Sequence, residues 1–286
     1  MNWTAKPISA GLYLIATPIG NARDITLRAL DLLAAADVLA AEDTRSLRRL
    51  LQIHGVALNG RPLVAAHDHS GDGVIQHLLA RIAAGKSVVY AAEAGTPLIS
   101  DPGFTLARAA RAAGLPVTAA PGASALLAAL TVCSLPAERF AFLGFLPAAR
   151  VARRTALAAL VQEPFTLVFY ESPRRVGEML ADMCEVLGGA RDAAICRELT
   201  KRFEEVQRGT LQELATASAG IALRGEVVVV VGPAQAVIPV AQDVKQALLA
   251  AMQTMRMKDA ATAVAGAMGL PRRDVYQIAL GLEDDA

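Results

Sequence analysis

The chain has 286 residues, 54% of them hydrophobic but only 4% aromatic, and its 28 Lys and Arg against 27 Asp and Glu leave a formal net charge of +1. That length allows two or three domains with sizeable cores, and near-neutrality excludes a broadly basic surface, so any nucleic-acid contact has to come from local clusters. A mean hydropathy of +0.39 would suit a membrane protein only if the apolar residues were contiguous, yet Gly and Pro interrupt them well short of the roughly 20 residues a span needs.

Residues 1–7 carry no long apolar stretch, so no secretory signal is expected and a cytoplasmic protein is. Residues 12–16, Leu-Tyr-Leu-Ile-Ala, read as a strand buried on both faces and run into the turn Thr17-Pro18-Ile19-Gly20-Asn21. Asp24 is expected to cap a helix over 25–36. A strand over 37–41 then ends in Glu42-Asp43-Thr44-Arg45, which puts two carboxylates at a strand's carboxyl edge. The pattern continues with a helix over 73–84 and a strand over 87–92, followed by the loop Ala94-Gly95-Thr96-Pro97-Leu98-Ile99-Ser100-Asp101-Pro102-Gly103. After a helix over 105–113 and a strand over 116–120, Pro121-Gly122-Ala123-Ser124-Ala125 opens another helix. Such alternation implies a parallel α/β sheet. A second α/β block has strands expected at 140–145, 165–170, 193–196 and 226–231, with a helix over 174–187. Residues 237–240 read as a linker, and 241–255, 258–268 and 272–282 as helices, the last two joined by Gly269-Leu270-Pro271 either in the manner of a helix-turn-helix or as a plain helical tail packed on the body. The expected domains are 1–132, 133–236 and 237–286.

Ligands of open parallel sheets settle beyond the carboxyl ends of the strands, where these Gly- and Pro-bearing loops fall. There is no G-x-G-x-x-G and no G-x-x-x-x-G-K-[ST], which disfavours a dinucleotide or a nucleoside triphosphate. The expectation is a small molecule held mainly by backbone groups. Cys133, Cys184 and Cys196 are widely spaced and read as reduced, mostly buried thiols. His67-Asp68-His69 reads as a polar loop near a substrate entrance rather than a metal site.

The runs Ile15 to Asn21, Asp24 to Leu30 and Ala40 to Arg45 resemble the opening of the tetrapyrrole-methylase-like class of S-adenosylmethionine-dependent methyltransferases. The loop at 94–103, Phe140 to Pro147, Phe169-Tyr170-Glu171-Ser172-Pro173 and Arg197-Glu198-Leu199-Thr200-Lys201 are similar to its ribosomal-RNA-methylating branch. The chain departs from the usual pattern at Ala92, Glu93 and Ala123, where the family usually carries Ser, Asp and Pro.

The resemblance implies an α/β fold of two methylase-type domains with the cofactor cleft between them, plus a small C-terminal helical domain. It also implies transfer of a methyl group from S-adenosyl-L-methionine to the ribose 2′-hydroxyl of a cytidine in 16S rRNA, in the small ribosomal subunit, by a homodimer with no membrane partner. Pro18, Gly20, Ala94, Gly95, Thr96, Pro97, Ser124, Ala125, Leu199 and Gly225 would then bind the cofactor. Glu42 or Asp43 could accept the hydroxyl proton, with Lys201 or Arg197 positioning the substrate or countering charge; the other reading of the pair is a helix cap that pairs with Arg45. Arg45, His69, Arg150, Arg153, Arg154 and Arg197 would contact RNA, together with the C-terminal helices. Two rivals remain open: a precorrin-type tetrapyrrole C-methyltransferase of the same fold, and a non-enzymatic nucleic-acid-binding protein.

Overall fold

The computed structural model describes residues 3–67, 72–98, 103–221, 224–234 and 241–284, and the chain forms one compact unit over Met1–Ala234 and another over Gln235–Ala286. In the first unit, β1 (Gly11–Ile15), β2 (Val38–Ala41), β3 (Leu63–Ala65), β4 (Ser87–Ala91) and β5 (Val117–Ala120) form a sheet in the order β3-β2-β4-β1-β5. Every pairing in it is parallel, as the strand and helix alternation predicts. Helices cover both faces, which is why the central strands are apolar on both sides. On one face α1 (Leu27–Ala35) and α2 (Thr44–Ile53) pack Leu30, Leu33, Leu47 and Leu51 on Ile15, Leu39 and Val89. On the other, α3 (Asp72–Ala83) and α4 (Gly103–Ala112) pack Leu78, Ile82 and Leu106 on Leu12, Leu14 and Tyr90.

The cap expected at Asp24 is displaced. Asp24 closes a short 3-10 turn, Ala22–Asp24, and Thr26 caps α1 instead, its side chain accepting from the Ala29 N–H at 3.1 Å. Ile25 is responsible: it is buried in the core with extended backbone, so the helix cannot begin before it.

Asp37, between α1 and β2, is stapled to the start of β4. It accepts from the Ser87 N–H at 2.9 Å and hydroxyl at 2.7 Å, and pairs with Lys86 at 3.1 Å. The backbone bond from Ser87 leads the effects that lower its carboxyl from 3.8 to about 2. A depressed folded-state value means that the staple contributes fully above the ordinary carboxylate range and is lost as pH falls toward about 2. Asp37→Asn is therefore expected to shrink the difference in urea midpoint between about pH 7 and about pH 3 relative to wild type. An unchanged difference would show that the staple carries no pH-dependent stability.

The second sheet holds β6 (Phe140–Phe145), β7 (Thr166–Glu171), β8 (Asp192–Arg197), β9 (Glu205–Thr210) and β10 (Val227–Val231), ordered β6-β7-β10-β8-β9. Only β6 and β7 run parallel; the other pairings are antiparallel. Helices α6 (Arg150–Ala158), α7 (Val176–Leu187) and α8 (Leu211–Ser218) bury Leu157, Met179, Leu180 and Leu211 on one face, against Phe169, Ile195 and Val229. The other face receives α5 (Ala125–Val132) through Leu126, Ala129 and Leu130. This helix follows β5 of the first sheet but packs on the second, so it brings the carboxyl ends of the first sheet against the second.

The second unit is three helices, α9 (Ala241–Met252), α10 (Met257–Met268) and α11 (Arg272–Asp284), around a core including Leu248, Ala261, Val264, Val275 and Ala279. Among the described residues, no helix is long and apolar enough to cross a membrane.

Candidate active site

The loops after β1, β4 and β5 are joined by hydrogen bonds. Thr17 and Gly95 exchange reciprocal backbone bonds of 3.0 Å, Thr17 Oγ1 donates to the Ala92 carbonyl at 3.1 Å, and Thr96 Oγ1 donates to the Ala123 carbonyl at 3.0 Å. Two further bonds reach the second sheet. The Asn21 N–H donates to Thr200 Oγ1 at 3.1 Å, and the Leu126 N–H donates to the Tyr170 phenol oxygen at 3.2 Å. Gly20 permits the first of these. A Cβ there would lie 2.5 Å from Lys201 Cγ, 2.7 Å from Thr200 Oγ1 and 3.1 Å from the Leu199 carbonyl, so the β8–β9 turn can rest on the first loop only with glycine in place.

Between the stitched loops and the second sheet opens a cleft of about 1030 Å³. Pro18, Gly20, Ala94, Gly95, Thr96, Ser124, Ala125, Leu199, Gly225, Glu42 and Lys201 all line it, so most of the residues singled out in sequence come together here. Four carboxylate side chains (Glu42, Glu93, Glu171, Glu226) and two cations (Arg49, Lys201) belong to its wall. Glu171 is neutralised by Arg175 at 3.0 Å. Cys196 also lines the cleft, and burial pushes its thiol up to about 12, which keeps it protonated and unreactive.

Lys201 Nζ donates to Glu198 Oε1 at 2.8 Å and to Glu226 Oε2 at 3.0 Å. Partial burial opposes its charge, but the two carboxylates outweigh burial and raise its pKa, while the bond from Lys201 lowers that of Glu198. Lys201 is thus a fixed ammonium rather than a proton acceptor. The turn holding it has Glu198 at φ +51° and Thr200 at φ +65°. Two non-glycine residues in left-handed backbone store strain of the kind that clusters where geometry is functional.

Other residues singled out in sequence are placed elsewhere. Asp43 caps α2 through the Arg45 N–H at 2.7 Å and pairs with the Arg45 side chain at 3.1 Å, which lowers its pKa, and it lies outside the cleft wall. For Asp43 this is the other reading of the Glu42 and Asp43 pair, a carboxylate that caps the following helix and pairs with Arg45, whose side chain stays 91% exposed. Pro97 is buried within its loop and also lies outside the wall. Arg153 is only 2% exposed and bonds Asp182 at 2.7 Å, so its guanidinium is closed to RNA. Arg150 pairs with Asp182 and Arg154 with Glu185, and Arg197 gives two bonds to Glu205. Their charge is consumed locally. His69 lies outside the described residues.

Phe145 and Tyr170, which belong to blocks that carry the resemblance but had no role assigned, also line the cleft, as do Ile53, which sequence reasoning missed, and Arg49, which it read only as part of a basic cluster with Arg45 and Arg48. Arg49 and Ile53 sit four residues apart on α2, with Ser46 completing that face. The helical spacing was legible; which face met the cleft was not.

The family model for tetrapyrrole (corrin/porphyrin) methylases matches residues 11–215, and a model described as the RsmI C-terminal HTH domain matches residues 239–283. The chain is similar to the ribosomal RNA small subunit methyltransferase I of Mesorhizobium japonicum, at 47% identity over 98% of this chain and 95% of that protein. It is also similar to that of Pseudomonas aeruginosa, at 43% over 96% and 98%. Among solved structures it resembles uroporphyrin-III C-methyltransferase from Thermus thermophilus complexed with S-adenosylhomocysteine. There the TM-score is 0.54 at 21% identity, covering 78% of this chain and 97% of that one, a likeness of fold.

Proposed function

The chain belongs to the tetrapyrrole (corrin/porphyrin) methylase family, within the ribosomal RNA small subunit methyltransferase I group, and on that premise we propose that it methylates the ribose 2′-hydroxyl of a cytidine in 16S rRNA with S-adenosyl-L-methionine as donor. The cleft carries the reading. Its first-sheet loops offer backbone groups rather than a phosphate nest, and with Glu171 buried against Arg175 its wall still sets Glu42, Glu93 and Glu226 against Arg49 and Lys201, which suits a positively charged donor with an amino-acid head. The bound cofactor supplies a methyl group already activated on a sulfonium.

What remains for the protein is orientation and one proton. Gly20, Gly95, Thr96, Ser124 and Ala125 on one side, with Leu199 and Gly225 on the other, would hold the donor through main-chain groups. Glu42 is the carboxylate of the notable pair that faces the cleft, and it takes the proton as the acceptor oxygen gains its methyl. Lys201, fixed by Glu198 and Glu226, positions the acceptor sugar. An acidic wall repels phosphate, so the RNA backbone stays at the rim and a single nucleoside enters. The homodimer and the assembled small subunit as substrate rest on the sequence resemblance, and the proposed rRNA substrate supports a cytoplasmic location.

Mass-spectrometric mapping of 16S rRNA from a strain lacking this gene tests the reading. One cytidine should lose its ribose methyl and regain it on complementation. Unchanged rRNA modification, together with methylation of a tetrapyrrole precursor by the purified protein, would favour the C-methyltransferase rival.

A further inference from the structure

The second-sheet wall of the cleft carries an aromatic surface that the loop-based reading does not use. Phe145 is 56% exposed although it is a large apolar side chain, and it lines the cleft beside Tyr170. Its exposure is built into the strand. Residues 142 and 145 of a regular strand would point to opposite faces, yet both rings pack edge-on to Tyr170, Phe142 at 4.7 Å and Phe145 at 5.8 Å between centroids. A bulge makes this possible: the β6–β7 register shifts between Phe142 and Gly144, and Gly144 takes φ +63°, a conformation that side chains rarely adopt. Bulges beside active sites commonly re-aim one side chain, and here the re-aimed one is Phe145.

The Tyr170 ring behind it is anchored at both ends, by Phe142 and by the Leu126 N–H on its phenol oxygen. Phe145 therefore stands on a rigid support while much of it remains open. Resting on the function proposed above, we infer that Phe145 is the stacking surface for the acceptor pyrimidine, turned out of its RNA strand into the cleft. Acidic walls keep the flanking phosphates outside, and an aromatic face compensates the base for the stacking it gives up. Apart from Leu199 and Gly225, the residues proposed to hold the donor lie on the first-sheet loops, and this aromatic part of the second-sheet wall is left to the acceptor.

The test uses full-length Phe145→Ala, Phe145→Leu and Phe145→Tyr, each assayed on small subunits from a strain lacking the gene and each titrated calorimetrically with S-adenosylhomocysteine. Alanine and leucine should raise KM for the subunit roughly tenfold with a smaller change in kcat, tyrosine should stay near wild type, and S-adenosylhomocysteine affinity should hold within about twofold in all three. Leucine keeps the apolar bulk and so guards against misfolding of the alanine variant. A tenfold loss of S-adenosylhomocysteine affinity would assign the ring to the donor's adenine and overturn the inference. So would a leucine variant with an unchanged KM. If the wild-type protein leaves these subunits unmethylated, the proposed function itself fails, a result distinct from either of these.

Discussion

Gly20→Ala is expected to lower kcat/KM for rRNA methylation by about 100-fold, because a shift of about 1 Å in a positioning element is enough for such a loss. The added methyl meets Lys201 Cγ at 2.5 Å and the Leu199 carbonyl at 3.1 Å. The lysine stem can swing aside, but the carbonyl belongs to a turn already held between two left-handed residues, Glu198 and Thr200. Relief therefore requires the first loop and the β8–β9 turn to separate. That breaks the Asn21 to Thr200 bond and moves the ammonium bridging Glu198 and Glu226. Single-turnover methylation and S-adenosylhomocysteine titration should both report the damage. Gly73→Ala is the control: its new Cβ meets nothing within 4 Å, and activity should be unchanged. A Gly20→Ala enzyme within about threefold of wild type would mean that the close approach does not position the site.

The second large effect concerns stability. Asp182 is 2% exposed and gathers Arg153 at 2.7 Å, Arg150 at 3.1 Å and Arg154 at 3.4 Å. Burial alone would raise its pKa, but the guanidiniums outweigh burial and lower it. Asp182→Ala leaves the Arg153 guanidinium buried without its main partner, a change that costs about 3 kcal/mol. Bonds from Arg153 to the Ala148 carbonyl and its contact with Glu178 soften the loss without replacing the carboxylate. Arg150→Ala removes a mostly exposed partner and should cost less than about 1 kcal/mol. Urea unfolding of both variants decides the matter. An Asp182→Ala protein as stable as wild type would return these arginines to the pool available for RNA.

That arginine group shows where sequence reasoning stops. Arg150, Arg153 and Arg154 have the spacing of a solvated basic helix face, and nothing local reveals that Asp182, some thirty residues on, arrives beneath them. The strand and loop units of the first sheet were legible because both faces are buried and Gly or Pro marks each end. Strand β3 has only three residues, too few for a periodic signal, and β9 (Glu-Val-Gln-Arg-Gly-Thr) is an edge strand with a wet, polar face. The loop wall of the cleft could be read because its residues lie in consecutive Gly- and Pro-bearing loops. The Phe145 wall could not: the exposure of Phe145 depends on a bulge and on pairing with Tyr170, neither of which is written in local composition.

Calorimetric titration of the purified full-length chain with S-adenosylhomocysteine tests the central claim, a donor site walled by the stitched loops, most directly. The predicted result is one equivalent bound per chain, weakened at least tenfold by Gly20→Ala. Absence of binding, or binding indifferent to Gly20, would contradict it.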